Sequence, residues 1–141
     1  MKWIKVNNQS ELQEGDILEL NTEYPLVLHY AVMVIENNER KAAHYPYPNS
    51  PCIENLDYVI NNRPDNTIRN VLRTGVSSKE IIDNHNKIEM PPKEDFTDWL
   101  FRDNCENYVR DITKNNIGTD QRATALLVLI IIILVLILIF K

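Results

Sequence analysis

The sequence lacks the features typical of secreted, nucleotide-binding and serine-dependent proteins. Among 141 residues there are only two cysteines and three glycines, too few for a disulfide framework or a glycine-rich phosphate loop. It has no Gly-x-Ser-x-Gly sequence, the usual serine-hydrolase motif. Residues 1–8 lack the apolar run of a signal peptide, so we expect a reducing compartment and two separate free thiols.

Positive charge is also scarce. The chain has 15 basic and 20 acidic residues, a formal net charge of −5. Such a protein is a poor ligand for nucleic acid and gains little by charge from an anionic membrane surface. We therefore expect no nucleic-acid partner, and any attachment to a membrane must come from apolar side chains.

The C-terminal stretch supplies such side chains, because residues 125–140 include no polar residue. A helix that spans the hydrocarbon core needs roughly 17–25 mainly apolar residues, and a core helix would keep a polar face. We therefore predict a domain over residues 1–120 and a single-pass transmembrane anchor over 121–141. The anchor would contact the bilayer through Ala123–Phe140 and leave the domain facing the cytosol.

One apolar, β-branched stretch and the segment that follows it predict a β-hairpin in the first half of the chain. Residues 26–35 have the composition of a buried strand, and residues 39–45 can return as its partner. The Asn-Asn pair between them suits a tight turn, because asparagine tolerates positive φ. The hairpin would place His29 and His44 on neighbouring strands.

The other elements follow from local signals. Short strands are predicted at 17–20 and 67–72, and an extended segment at 97–102. Ser77 and Glu80 form a capping box that predicts a helix over 78–87.

A further helix is predicted to run through Cys105, capped by Asp103 or Asn104 and ended by Gly118. This places the Cys105 thiol in the first turn, where the partial positive charge of the helix favours thiolate. Taken alone, however, a cysteine at this position is more often a small buried apolar residue than a nucleophile.

The histidines have the same alternative, since a histidine in an apolar strand can be a hydrogen-bonded core residue. Together, a cysteine at a helix start and histidines on two strands meet the requirement for nucleophilic catalysis. Cys52, in a proline-rich loop, is interpreted as a packing residue, and His85 is given no role. No close-spaced ligand pair supports a metal site.

Four segments resemble the lecithin:retinol acyltransferase family, most closely its HRAS-like suppressor phospholipase/acyltransferase branch. They are Gly15-Asp16-Ile17-Leu18-Glu19, His29-Tyr30-Ala31-Val32, Ala43-His44 and Asn104-Cys105-Glu106. The family fold implied is α+β, a circularly permuted papain-like (NlpC-type) domain with an antiparallel sheet, here followed by the C-terminal transmembrane helix. Tyr30 stands where that family has tryptophan, and Asn107-Tyr108 where it has His-Phe.

The resemblance implies Cys105 as nucleophile, His29 as its base and His44 as the residue that orients His29, with Tyr24 near the oxyanion. The implied activity is that of a monomeric thiol phospholipase A or acyltransferase, which cleaves glycerophospholipid esters through a thioester without a cofactor or metal. The acyl group would pass to water, an amine or a lysolipid. A cysteine peptidase or amidase of the same fold, and a non-catalytic membrane adaptor, stay open as alternatives.

Overall fold

The computed structural model describes residues 2–24, 27–101, 104–117 and 121–140. The predicted cap Asp103 and the predicted stop Gly118 lie outside these residues. The strands are β1 (Trp3–Ile4), β2 (Ile17–Asn21), β3 (Leu28–Glu36), β4 (Glu39–His44), β5 (Cys52–Asn55) and β6 (Ile68–Leu72). The helices are α1 (Leu56–Asn61), α2 (Ser78–His85), α3 (Phe96–Phe101), α4 (Cys105–Thr113) and α5 (Gln121–Ile139).

The strands form one six-stranded sheet in the order β1-β6-β2-β3-β4-β5. Each pairing is antiparallel, which confirms the predicted α+β class with an antiparallel sheet. The predicted hairpin is also confirmed, as β3 and β4. At its turn Asn37 and Asn38 have φ of 54° and 62°, the left-handed values that a tight hairpin turn requires.

The central strand β3 is buried on both faces, because helices cover each side of the sheet. Tyr30, Val32 and Val34 share a core with apolar residues of α4. Ala31 and Met33, which point the other way, pack with apolar residues of α1. The β3 side chains therefore alternate between an α4 side and an α1 side, and by this alternation the odd-numbered His29 belongs to the α1 side.

The predicted extended segment at 97–102 is wrong, because Phe96–Phe101 forms the helix α3. The Asp95 side chain accepts the N–H of Thr97 at 2.8 Å, a local bond that favours helix initiation. Phe96 and Trp99 then lie on one face, with their rings stacked at 5.8 Å. The two residues form an i, i+3 pair, the spacing of neighbours on one face of a helix. The aromatic content of the segment did not by itself distinguish a helix from a strand.

Ser77 is the N-cap of α2, as the sequence predicted, since its side chain accepts the N–H of Glu80 at 3.3 Å. The helix ends at His85 rather than at residue 87. Strands β1 and β5 and helix α1 were not predicted.

The predicted membrane anchor is wrong. Among the described residues, no helix is long and apolar enough to cross a membrane. In α5 the uninterrupted apolar part, 125–139, rises about 22 Å at the α-helical pitch, which is short of the ~30 Å hydrocarbon core. The transmembrane helix in the predicted fold class is therefore wrong. The predicted localisation, a single-pass membrane protein with a cytosol-facing domain, is wrong for the same reason.

Two glycines with positive φ allow a matched test of how closely the turn before β2 packs, because one of them is crowded and the other is not. Gly15 has φ of 80°, and a Cβ there would overlap the backbone oxygen of Val76. Gly75 has φ of 71° but faces open space. We expect Gly15→Ala to lower the free energy of unfolding by about 3 kcal/mol or more, and Gly75→Ala by about 1 kcal/mol. Urea unfolding measures both, and equal losses would contradict the close approach at Gly15.

Candidate active site

Cys105 is positioned by the cap of α4. Asn104 has the extended conformation of an N-cap, with φ of −126° and ψ of 177°, and its side chain accepts the N–H of Asn107. This confirms Asn104 as the cap and makes Cys105 the first residue of the helix. The Cys105 side chain is fully buried, and its sulfur donates to the Leu28 carbonyl oxygen at 3.6 Å. The thiol therefore lies against the first residue of β3.

This contact brings the thiol close to His29. The Leu28 carbonyl belongs to the peptide bond that joins Leu28 to His29, so standard peptide geometry places the sulfur within about 6.5 Å of the His29 Cα. The two side chains come from opposite sides of the sheet, since Cys105 belongs to the α4 side. Leu28 is the first residue of β3, so the thiol lies beside the end of the sheet at which His29 is located, and not across the middle of the sheet.

The two predicted histidines are in direct contact. Ala31 pairs with His44 in the β3–β4 ladder, so His29, two residues earlier on the same face, is the diagonal neighbour of His44. The His29 Nε2 and His44 Nδ1 atoms lie 2.9 Å apart, with the two rings at 90°. Both side chains are buried. The structure thus brings together the pair that the sequence proposed.

Glu54 is the next member of this group, and the sequence did not indicate it. His44 pairs with Cys52 in the β4–β5 ladder, and Glu54 lies two residues further along the same face. The His44 Nε2 atom lies 2.9 Å from Glu54 Oε2 and 3.4 Å from Cys52 Sγ. Cys52 is therefore part of a strand, and not of a loop as we interpreted it. The Cys-x-Glu spacing, which places both side chains on one face of a strand, was the available signal. Three nearby prolines argued against a strand at this place.

The hydrogen-bond partners fix where the protons lie. A carboxylate can only accept, so His44 carries its proton on Nε2 and donates to Glu54. His44 Nδ1 is then an acceptor, and His29 must donate to it from Nε2. A neutral His29 therefore has its lone pair on Nδ1.

Burial keeps both imidazoles neutral near pH 7. It lowers the pKa of His29 well below its ordinary value, and the positive charge of Arg63 lowers it further. Burial also lowers the pKa of His44, although Glu54 opposes this shift. For Cys52, burial and then the Glu54 carboxylate raise the pKa to about 11. Cys52 is consequently a protonated thiol at neutral pH, whereas His29 is in the form that can accept a proton.

Arg63 is a second residue that the sequence did not indicate. It follows α1 and is partly buried, and its guanidinium lies within electrostatic range of the Cys105 thiol and of the two histidines. A cation at this place favours the thiolate form of a nearby cysteine. No local pattern marks Arg63, because its position depends on how α1 packs beneath β4 and β5.

A cavity of about 200 Å³ opens at this group. Its wall includes His29 and Arg63 together with four aromatic residues: Tyr24, Tyr47, Phe96 and Trp99. The Trp99 side chain is 3% exposed, and its indole N–H has no hydrogen-bond acceptor among the described residues. A buried donor without a partner costs roughly 1–3 kcal/mol.

The arrangement joins a buried thiol at a helix start, a neutral imidazole oriented by a second imidazole and a carboxylate, and an aromatic cavity with one cation. The chain has no match among protein-family models, curated proteins or solved structures. The family resemblance of the four sequence segments therefore stays a prediction.

Proposed function

We propose that this protein is a thiol-dependent acyl hydrolase or acyltransferase, with Cys105 as nucleophile and His29 as general base. The observation that carries the proposal is the hydrogen-bonded chain Glu54–His44–His29, which ends where the Cys105 sulfur meets the start of β3. His44 is a positioning residue that holds the His29 ring and its tautomer, and Glu54 does the same for His44.

In the first half of the reaction His29 Nδ1 accepts the thiol proton, and the sulfur attacks the carbonyl carbon of an ester. The first turn of α4 directs backbone N–H groups toward the developing oxyanion. Collapse of the tetrahedral intermediate breaks the bond to the alcohol oxygen, and His29 returns the proton to that oxygen. The alcohol departs and leaves a thioester on Cys105.

In the second half His29 takes a proton from water, from an amine or from a lysolipid hydroxyl. The activated acceptor attacks the thioester carbonyl, and the regenerated thiolate of Cys105 regains a proton from His29. Water gives hydrolysis to a free fatty acid, whereas the other acceptors give acyl transfer. Each step moves one proton through the same imidazole, so no metal or redox cofactor takes part in it.

The cavity supports an acyl ester that carries a nearby anion as substrate, in agreement with the phospholipid class implied by the resemblance. Aromatic walls suit an acyl chain, and Arg63 suits a phosphate oxygen. Since the Cys105 side chain has no exposed surface, a side chain beside it must move before the ester carbonyl reaches the sulfur.

Trapping the acyl-enzyme tests the proposal. After mixing with phosphatidylcholine dispersed in detergent, we expect intact mass spectrometry to show one fatty-acyl adduct, with peptide mapping placing it on Cys105. Cys105→Ala should show none, and His29→Gln should acylate roughly 10²- to 10⁴-fold more slowly, because the general base is lost.

His85→Gln is the matched histidine control, since His85 contacts Tyr108 rather than the site, and it should acylate at the wild-type rate. An adduct on Cys52, or none on folded protein although lysolipid forms, would overturn the assignment of Cys105. Acylation by peptide or amide substrates with none by phospholipid would favour the peptidase or amidase alternative.

The proton positions are testable without a substrate. In protein labelled at histidine nitrogens, NMR shifts should show protonated Nε2 and unprotonated Nδ1 for both His29 and His44. Glu54→Leu removes the acceptor of His44 Nε2–H, so both histidines should show mixed tautomers, while the His85 signals stay unchanged. A protonated Nδ1 on His29 in metal-free wild type would be incompatible with its role as base.

A further inference from the structure

We propose that His44, Cys52 and Glu54 form a binding site for a zinc ion. Their ligand atoms all lie within 4.8 Å of one another, because the β4–β5 register places the three side chains on one sheet face. One imidazole nitrogen, one sulfur and one carboxylate oxygen are donors that suit Zn²⁺, with a fourth position for water. The site was not predicted from the sequence, in which Cys52 was interpreted as a packing residue and Glu54 was given no role.

The spacing is close to what zinc requires. With Zn–N near 2.0–2.1 Å, Zn–S near 2.3 Å and Zn–O near 2.0–2.2 Å, tetrahedral geometry separates N from S by about 3.5 Å and N from O by about 3.4 Å. In the protein the His44 Nε2 to Cys52 Sγ distance is 3.4 Å and the Nε2 to Glu54 Oε2 distance is 2.9 Å. Small side-chain rotations therefore suffice.

Access and charge also fit a cation. The Glu54 side chain is 39% exposed, so an ion can arrive from solvent. Binding transfers the Cys52 thiol proton to solvent, and the thiolate and the carboxylate then neutralise the two charges of the metal. Arg63 lies within electrostatic range of His44 and opposes the cation, which limits affinity but leaves the ligand set intact.

Zinc at this site would switch off the proposed catalysis, a consequence that rests on the proposed function. The metal takes the lone pair of His44 Nε2, so the His44 proton moves to Nδ1 and is donated to His29 Nε2, as metal-bound histidines commonly donate to a neighbour. His29 must then carry its own proton on Nδ1. The Nδ1 atom, now protonated, cannot accept the proton of Cys105, although no backbone has moved.

The binding test needs no activity. We titrate the metal-free protein with Co²⁺, whose tetrahedral thiolate complexes absorb visibly, and displace it with Zn²⁺. One Co²⁺ per chain with a sulfur-to-cobalt band is expected for wild type and for Cys105→Ala. Cys52→Ala should lose the band, and Glu54→Gln should weaken binding by about 100-fold. Thermal unfolding confirms that each variant is folded, and Cys52→Ser replaces Cys52→Ala if the latter is not.

Absence of binding, or a band that depends on Cys105 and not on Cys52, would overturn the site. A second experiment tests the inhibition. Acylation of Cys105 by phosphatidylcholine is measured with and without saturating Zn²⁺, and each variant is compared with its own metal-free rate. We expect at least a 10-fold loss in wild type and none in folded Cys52→Ala. Unchanged wild-type acylation at full zinc occupancy would overturn the inhibition alone, whereas no acylation without metal would count against the proposed function and leave the site standing.

Discussion

The hydrogen bond between His29 and His44 depends on the register of β3 against β4. Pairing of Ala31 with His44 makes the two histidines diagonal neighbours on one face. A slip of one residue would turn every side chain of β4 to the opposite face, and His44 would then point toward the α4 side. The left-handed Asn37-Asn38 turn restricts the ways in which the hairpin can close. A surface turn thus determines the geometry of a buried imidazole pair.

The same bond makes burial of two imidazoles tolerable. A buried polar group without a partner is costly, and the pair satisfies one nitrogen of each ring internally. Glu54 satisfies the outer nitrogen of His44 and is itself partly exposed, so the chain of hydrogen bonds ends in solvent. This chain leaves His29 Nδ1 available for other chemistry, and His29 directly follows Leu28, the residue that Cys105 contacts. The proton arrangement that satisfies the buried rings is therefore also the one that the proposed catalysis needs.

Local signals predicted the local features well. Ser77 was identified as a cap, and Asn104 as one of two candidates, because such side chains bond within three residues. The hairpin followed from an apolar run with turn residues. Residues that join the site through β5 and α1 were missed, because the prolines before β5 obscured its alternation and no nearby pattern marks Arg63. The prediction of a membrane anchor at α5 was wrong for another reason, because its apolar stretch is close to the length that spans a membrane.

The hydrogen bonds of the Glu54–His44–His29 chain all run in one direction, because His29 donates to His44 and His44 donates to Glu54. The two ends of this chain lie in different environments. Each imidazole donates from one nitrogen and accepts at the other, so the partner at His44 Nε2 determines which nitrogen of His29 carries the proton. That outer partner is solvent-accessible, whereas the Cys105 thiol, which contacts Leu28 next to His29, is fully buried. In the proposed reaction, a carboxylate at the outer end leaves His29 able to accept a proton from Cys105, and a cation at the proposed zinc site would reverse the direction of the hydrogen bonds. The two proposals together would let a ligand at the protein surface control the thiol through two rings, without any change in the sheet.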